Sequence, residues 1–258
     1  LASTRGNIYD KNGKLLAYNE LAYAITLEDN GVYNSRAERN KALNKELYRL
    51  LKVLDKNKDQ IRNDFYISYS ERDGYQYTVS GTTLKRFLAD IYDHKSTDDL
   101  KYNKTLGYNE AEATPEQVME YLSSDKRYGI SDKYSAYNRY RILVLRYAIA
   151  QNSYQKYVTT TIAKDISKDT VAVIMENKDR YPGVDVEEDS IRVYEDGLYM
   201  APLIGYTGQV SAEELEELNG ENGNGQYSSS PDSRNILKKS FADRTEQKRF
   251  MWITLEKY

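Results

Sequence analysis

Two dipeptides, Asn12-Gly13 and Asp73-Gly74, each lie between runs of β-forming residues, and this pattern constrains the fold more than any other local signal. "NIYD" (Asn7 to Asp10) precedes the first and "KLLAYN" (Lys14 to Asn19) follows it; "DFYISY" and "YQYTVSG" flank the second. Asn-Gly suits a type I′ turn, in which both central residues need positive φ. The spacing therefore predicts a hairpin at the N-terminus and another near residue 73, both elements of antiparallel sheet. Gly6, after Arg5, allows a close approach or a backbone angle that other residues avoid.

The rest of the chain alternates irregularly between the two periodicities. "AYAITLED" (Ala22 to Asp29) reads as a strand. Residues 35–57 switch to helical spacing, with Leu43, Leu47, Leu50, Leu51 and Leu54 forming one apolar stripe. "TTLKRFLADIY" reads as a short helix, and residues 93–113 as a polar surface excursion. Thr114-Pro115-Glu116 opens a helix with a capping side chain and Pro at its first position. A helix over about 136–151 should turn Ile142, Leu145 and Ile149 inward and leave Arg139, Arg141 and Arg146 available to acidic partners. "YVTTTIA" is a strand, Ser167 caps a further helix, and "VDVEEDSIRVYE" is a strand pair or one long strand. "PLIGYTGQV" is another strand, Ser211 to Glu214 forms a capping box, and "GENGNGQYSSSP" is a flexible linker. Without a regular βαβ rhythm, this is an α+β fold with antiparallel sheet.

The 258 residues carry 37 Lys+Arg against 40 Asp+Glu, a net charge of -3, and this near balance argues against a nucleic-acid binder, which would show a basic stripe. The hydrophobic fraction includes 26 Tyr, which prefer half-buried positions. With no Cys there are no disulfides or thiolate metal sites. No apolar run approaches the roughly 18 residues needed to span a membrane. The chain opens at Leu1 without Met, as a fragment would, and any membrane anchor is expected upstream of it.

Signals for catalysis are weak. His94 is the only histidine and falls in the polar excursion, where a solvated side chain is expected. The acidic runs "VEEDS" and "EELEE" read as solvated faces, although a carboxylate pair could serve a hydrolase. Ser123-Ser-Asp-Lys126 matches S-x-x-K, but that chemistry needs the Ser at a helix start and here it falls at a helix end. No later K-T-G accompanies it. Catalytic, cofactor-binding and metal-binding residues are therefore all expected to be none.

Two stretches carry a family resemblance. "TRGNIYDKNGKLLAYN" resembles the first sequence block of class B penicillin-binding proteins, R-G-x-I-x-D-R-N-G-x-x-L-A, with Lys11 where Arg is commoner. "YPGVDVEEDSIRVYEDGLYMAPLIGYTGQVSAEELEEL" resembles their later block; Arg192 and Ala201 are retained, while Glu195 and Pro202 replace the usual Pro and His. "ILVLRYAIAQNSYQKYVTTTIAKDISKDTVAVIMEN" is similar to the intervening stretch of elongation-type members. The resemblance covers about residues 1–228.

It implies the non-catalytic N-terminal dimerisation or pedestal module of a membrane-anchored serine-type D,D-transpeptidase, on the extracytoplasmic face. Such a module positions a penicillin-binding domain, which this chain lacks. It would contact a lipid-II polymerase of the shape, elongation, division and sporulation family, with self-association as a further contact. The implied division is a sheet-rich pedestal from 1–30 and 152–228, an inserted helix-rich head from 31–151, and an atypical tail from 229–258. From Pro231 the sequence departs from the family's continuation; a frameshift and chance remain alternative explanations for its last nine residues. Arg5, Gly6, Asp10, Asn12 and Gly13 match the first block, and Arg192, Tyr194, Gly205 and Tyr206 the second, all as architectural residues. Arg192 or Arg5 is expected to pair with Asp10 or a neighbouring carbonyl. The alternative is an independent secreted hydrolase using a carboxylate pair.

Overall fold

A computed structural model of the chain describes residues 6–152, 159–195, 206–207 and 237–238, the last two pairs as backbone only. The elements in order are β1 (Ile8–Tyr9), β2 (Leu15–Leu27), α1 (Arg36–Asn57), β3 (Ile67–Ser70), β4 (Gly74–Tyr77), α2 (Gly81–Ile91), β5 (Tyr102–Asn103) and β6 (Tyr108–Asn109). They continue with α3 (Pro115–Ser123), α4 (Ala136–Asn152), β7 (Thr160–Ala163), α5 (Lys168–Glu176), β8 (Val184–Tyr194), β9 (Tyr206–Thr207) and β10 (Leu237–Lys238). Helices with antiparallel strands make this an α+β fold. Among the described residues no helix is long and apolar enough to cross a membrane.

The chain divides into two compact units, 1–20 with 190–258, and 21–189. The segment 31–151 lies wholly within the second. In the first unit β1 and β2 pair antiparallel, with Ile8 opposite Ala17 and Tyr9 opposite Leu15. The hairpin forms as expected, but its turn is not type I′. Gly13 has φ 83°, whereas Asn12 is not at positive φ. Gly13 N donates to the Asp10 carbonyl (3.0 Å) and Asp10 N to the Lys14 carbonyl (2.8 Å). This is a three-residue loop, a type I turn closed by glycine in the left-handed region. The Asp10 carboxylate selects it by accepting from Asn12 N and Lys14 N, both at 2.8 Å.

In the second unit β2 continues against β7, with Ile25 opposite Ala163 and Leu27 opposite Thr160. The runs expected as separate strands in 14–29 are thus one strand, which also pairs β8. The leucine stripe of α1 supplies the core: Leu47, Leu50, Leu51 and Leu54 are fully buried. Ser35 caps the helix by accepting from Glu38 N, and Lys58 ends it in the left-handed region. Ser167 caps α5 as expected. Asp59 fastens that cap, accepting from Ser167 Oγ (2.9 Å) and Thr170 Oγ1 (2.5 Å).

Two expectations about this unit are corrected. The excursion over 93–113 is built structure, with a two-stranded ribbon (β5–β6) and two short 3₁₀ turns. The arginines of α4 are not uniformly available. Tyr140 to Arg146 are all buried, because α1, α3, β3 and β7 surround the helix. Arg141 Nη1 lies 2.7 Å from Asp55, Arg139 pairs with Asp132 at 3.0 Å, and Arg146 is 2% exposed.

Candidate functional site

The residues singled out from the sequence fall into three local groups. Asp10, Asn12 and Gly13 form the β1–β2 turn described above. Desolvation opposes ionisation of Asp10, but the hydrogen bonds, led by that from Lys14 N, lower its pKa. A β-carbon on Gly6 would meet nothing within 4 Å and its φ is not positive, so neither expected reason for that glycine is seen among the described residues.

Arg192 and Tyr194 form the second group, two residues apart on β8 with the guanidinium 6.0 Å from the ring centre. Arg192 Nη1 donates to Asn19 Oδ1 at 3.3 Å. Next to it, Glu195 N donates to the Leu16 carbonyl (3.0 Å) and Tyr18 Oη donates to Glu195 Oε1 (3.1 Å). The Glu195 carboxylate holds the Tyr18 proton in place, raising that pKa. The two resembling stretches therefore meet through residues 16–19 and 192–195. Of the expected pairings, Asp10 with Arg192 is not seen among the described residues, where the Asp10 carboxylate accepts from its own turn, and the Arg5 alternative lies outside them. Tyr206, the third, is described only as backbone in β9, opposite Lys238. Arg5 and Gly205 lie outside the described residues, as do the Ser211 capping box, the Gly/Asn/Ser linker and nearly all of the tail.

The catalytic decoy is placed as expected. Ser123 is the last residue of α3, and its carbonyl accepts from Ile130 N at 2.9 Å. Lys126 lies beyond the helix, so Ser and Lys do not share a helical face. Of "VEEDS", Glu187 and Glu188 are exposed, Glu187 accepts from Thr26 Oγ1 (3.0 Å), and Asp189 pairs with Lys164 (3.0 Å). Among the described residues no group of three His, Cys, Asp or Glu could hold a metal.

Three polar features were missed. His94 is not a solvated side chain: its Nε2 is 2.6 Å from Glu110 Oε2, with side chains 22% and 5% exposed. Asn103 Nδ2 donates to the other oxygen of Glu110 at 2.7 Å. Burial resists ionisation of Glu110, but the Asn103 and His94 contacts prevail and lower its pKa. Arg146 rests on two asparagines of α1, donating from Nη2 to Asn40 Oδ1 (2.6 Å) and from Nη1 to Asn44 Oδ1 (2.8 Å). Burial lowers its pKa to about 10. Glu46 is 6% exposed, and burial raises its pKa to about 7. The available signal was on α1, where Asn40, Asn44 and Glu46 interrupt or border the leucine stripe.

Comparison with known proteins gives a family. The family model described as the penicillin-binding protein dimerisation domain matches residues 1–231. No curated protein matches the chain significantly. Among solved structures, penicillin-binding protein 2B from Streptococcus pneumoniae (strain 5204) is 20% identical, with 93% of this chain and 33% of that one covered, at a TM-score of 0.41. The complex between penicillin-binding protein 2 and MreC from Helicobacter pylori gives 16% identity, 93% and 27% coverage, and a TM-score of 0.38. The chain spans about a third of the length of the solved proteins it matches.

Proposed function

We propose a scaffolding role, because the chain belongs to the penicillin-binding protein dimerisation domain family. The module positions a penicillin-binding transpeptidase domain in a membrane-anchored protein that builds the bacterial cell wall. It offers a partner glycosyltransferase, the lipid-II polymerase, a contact surface on the segment 31–151. Arg5, Gly6, Asp10, Asn12 and Gly13, with Arg192, Tyr194, Gly205 and Tyr206, serve architecture in this reading and carry no chemistry.

The family match over residues 1–231 carries the proposal. Two features support it. The polar groups near the resembling stretches are engaged in holding strands and turns, and the S-x-x-K pair lacks its helical geometry. Labelling with a fluorescent penicillin tests the reading. The isolated 258-residue chain should take no covalent label, whereas the protein encoded by the full gene should be labelled outside these residues. Labelling of the chain itself, abolished by Ser123→Ala, would overturn the assignment. Co-purification of the full-length protein with the polymerase, lost when residues 31–151 are replaced, tests the partner surface.

A further inference from the structure

We infer that the cavity beside the N-terminal half of α1 binds a primary alkylammonium group, of the kind a lysine side chain carries, on the carboxylate of Glu46. The inference stands apart from the scaffolding role and rests on one unpaired acid. Glu46 is 6% exposed, and among the described residues nothing donates a hydrogen bond to its buried Oε1. A carboxylate withdrawn from water and left without a partner is costly. Yet Glu46 is not sealed in the core. It lines a cavity of about 450 Å³ that opens to solvent between α1, the segment 28–33 and Pro182.

No cation of the chain pairs with this carboxylate among the described residues, although the Arg49 charge favours its ionised form. Arg49, one turn along α1, gives Nη1 to the Arg180 carbonyl at 3.0 Å. Lys41 and Lys45 are exposed, and neither is within ion-pair distance of Glu46 among the described residues. The acids around the cavity are mostly engaged. Asp29 accepts from Arg39 Nε (2.5 Å) and Tyr33 Oη (3.1 Å), and Glu38 from Asn34 N (2.9 Å) and Nδ2 (3.1 Å). Glu28 is exposed at the surface. Glu46 is thus the buried acid without a donor.

The shape of the site selects the ligand class. Ala42, Leu43 and Pro182 line the same cavity as Glu46 and give it an aliphatic part. A methylene stem packs against such lining and delivers a charged head beyond it. An ammonium is a compact point charge on a flexible stem, so it needs no planar face beside the carboxylate. A calcium ion requires six or more oxygens, which a single Glu does not provide.

The test uses Nα-acetyl-lysine amide, titrated into the isotopically labelled 258-residue chain and followed through backbone amide resonances. Nα-acetyl-norleucine amide, the matching uncharged side chain, is the control. The lysine probe should shift the Gly31, Ala42 and Leu43 amides saturably, with Kd on the order of 1 mM, and the norleucine probe should not. Glu46→Gln should weaken the lysine probe about tenfold or more. Equal binding of the two probes, absence of saturable shifts, or undiminished binding in Glu46→Gln would each overturn the inference. The comparison of probes on the unaltered chain decides the matter even if the variant folds poorly.

Discussion

Gly183 and Glu28 are held backbone to backbone: Glu28 N donates to the Gly183 carbonyl at 2.8 Å, and a β-carbon on Gly183 would collide with the Glu28 carbonyl oxygen. Gly183 also has φ 79°, in the region where only glycine is unstrained. It is the glycine of "YPGV", so this part of the second resembling stretch has a local cause: it closes the end of β2 onto the start of β8.

Gly183→Ala should therefore lose about 3 kcal/mol, combining backbone strain with an overpacked contact. Thermal melting checks this against Gly13→Ala, whose φ of 83° is similar but whose surroundings are open. The Gly13 variant should show strain alone and a smaller drop in midpoint.

Arg146 gives the second prediction. Its guanidinium is buried on Asn40 and Asn44, and those asparagines also donate to the Arg127, Tyr128 and Gly129 carbonyls at 2.8, 2.9 and 3.0 Å. Arg146→Ala would leave two buried acceptors unpaired and a cavity behind them, costing about 3 kcal/mol or more. Arg36→Ala, on the exposed start of α1, should change stability by less than about 0.5 kcal/mol. Urea unfolding of both variants measures the difference, and equal midpoints would deny Arg146 this role.

How much of this was legible in the sequence depended on how local the cause was. The leucine stripe of α1, the Ser167 cap and the Thr114-Pro115 helix start are decided within one or two turns, and they were read correctly. The N-terminal hairpin was read from Asn12-Gly13, but its turn type was missed because the Asp10 side chain captures the loop amides. The fate of α4 was illegible, since nothing near Arg146 reveals that asparagines about a hundred residues earlier receive it. His94 and Glu110 are 16 residues apart in a polar stretch with no periodicity, and only the folded ribbon brings them together. One of the expected pairings, Asp10 with Arg192, is absent among the described residues for a local reason: Asp10 is satisfied within its own turn, four residues from its farthest donor.

The His94–Glu110 contact predicts an acid-side loss of stability. Hydrogen bonds from Asn103 and His94 hold the Glu110 pKa below its ordinary 4.5 in the fold. An acid depressed in this way contributes stability that is full above the unfolded value and disappears as pH falls through the folded one. Denaturant midpoints measured below about pH 5 should decline less steeply in Glu110→Gln than in the unaltered chain. At neutral pH, His94→Ala should cost about 1–3 kcal/mol by leaving Glu110 buried with one partner fewer.

Glu46 predicts the opposite slope. Its ordinary pKa of 4.5 is raised to about 7 in the fold by burial, opposed by the Arg49 charge and assisted by that of Asp29. Between those values the folded chain keeps a proton that the unfolded chain has released. Stability must then fall as pH rises from about 4.5 to about 7, by up to about 3 kcal/mol from this group, and stay lower above that range. Glu46→Gln removes the titration, so it should be the more stable protein at pH 8 and should lose its advantage near pH 4. Urea midpoints across that range measure the crossing. A bound alkylammonium acts against the same slope, because it stabilises the ionised carboxylate of the fold alone. Saturating Nα-acetyl-lysine amide should therefore raise the midpoint of the unaltered chain more at pH 8 than at pH 5, and leave that of Glu46→Gln unchanged.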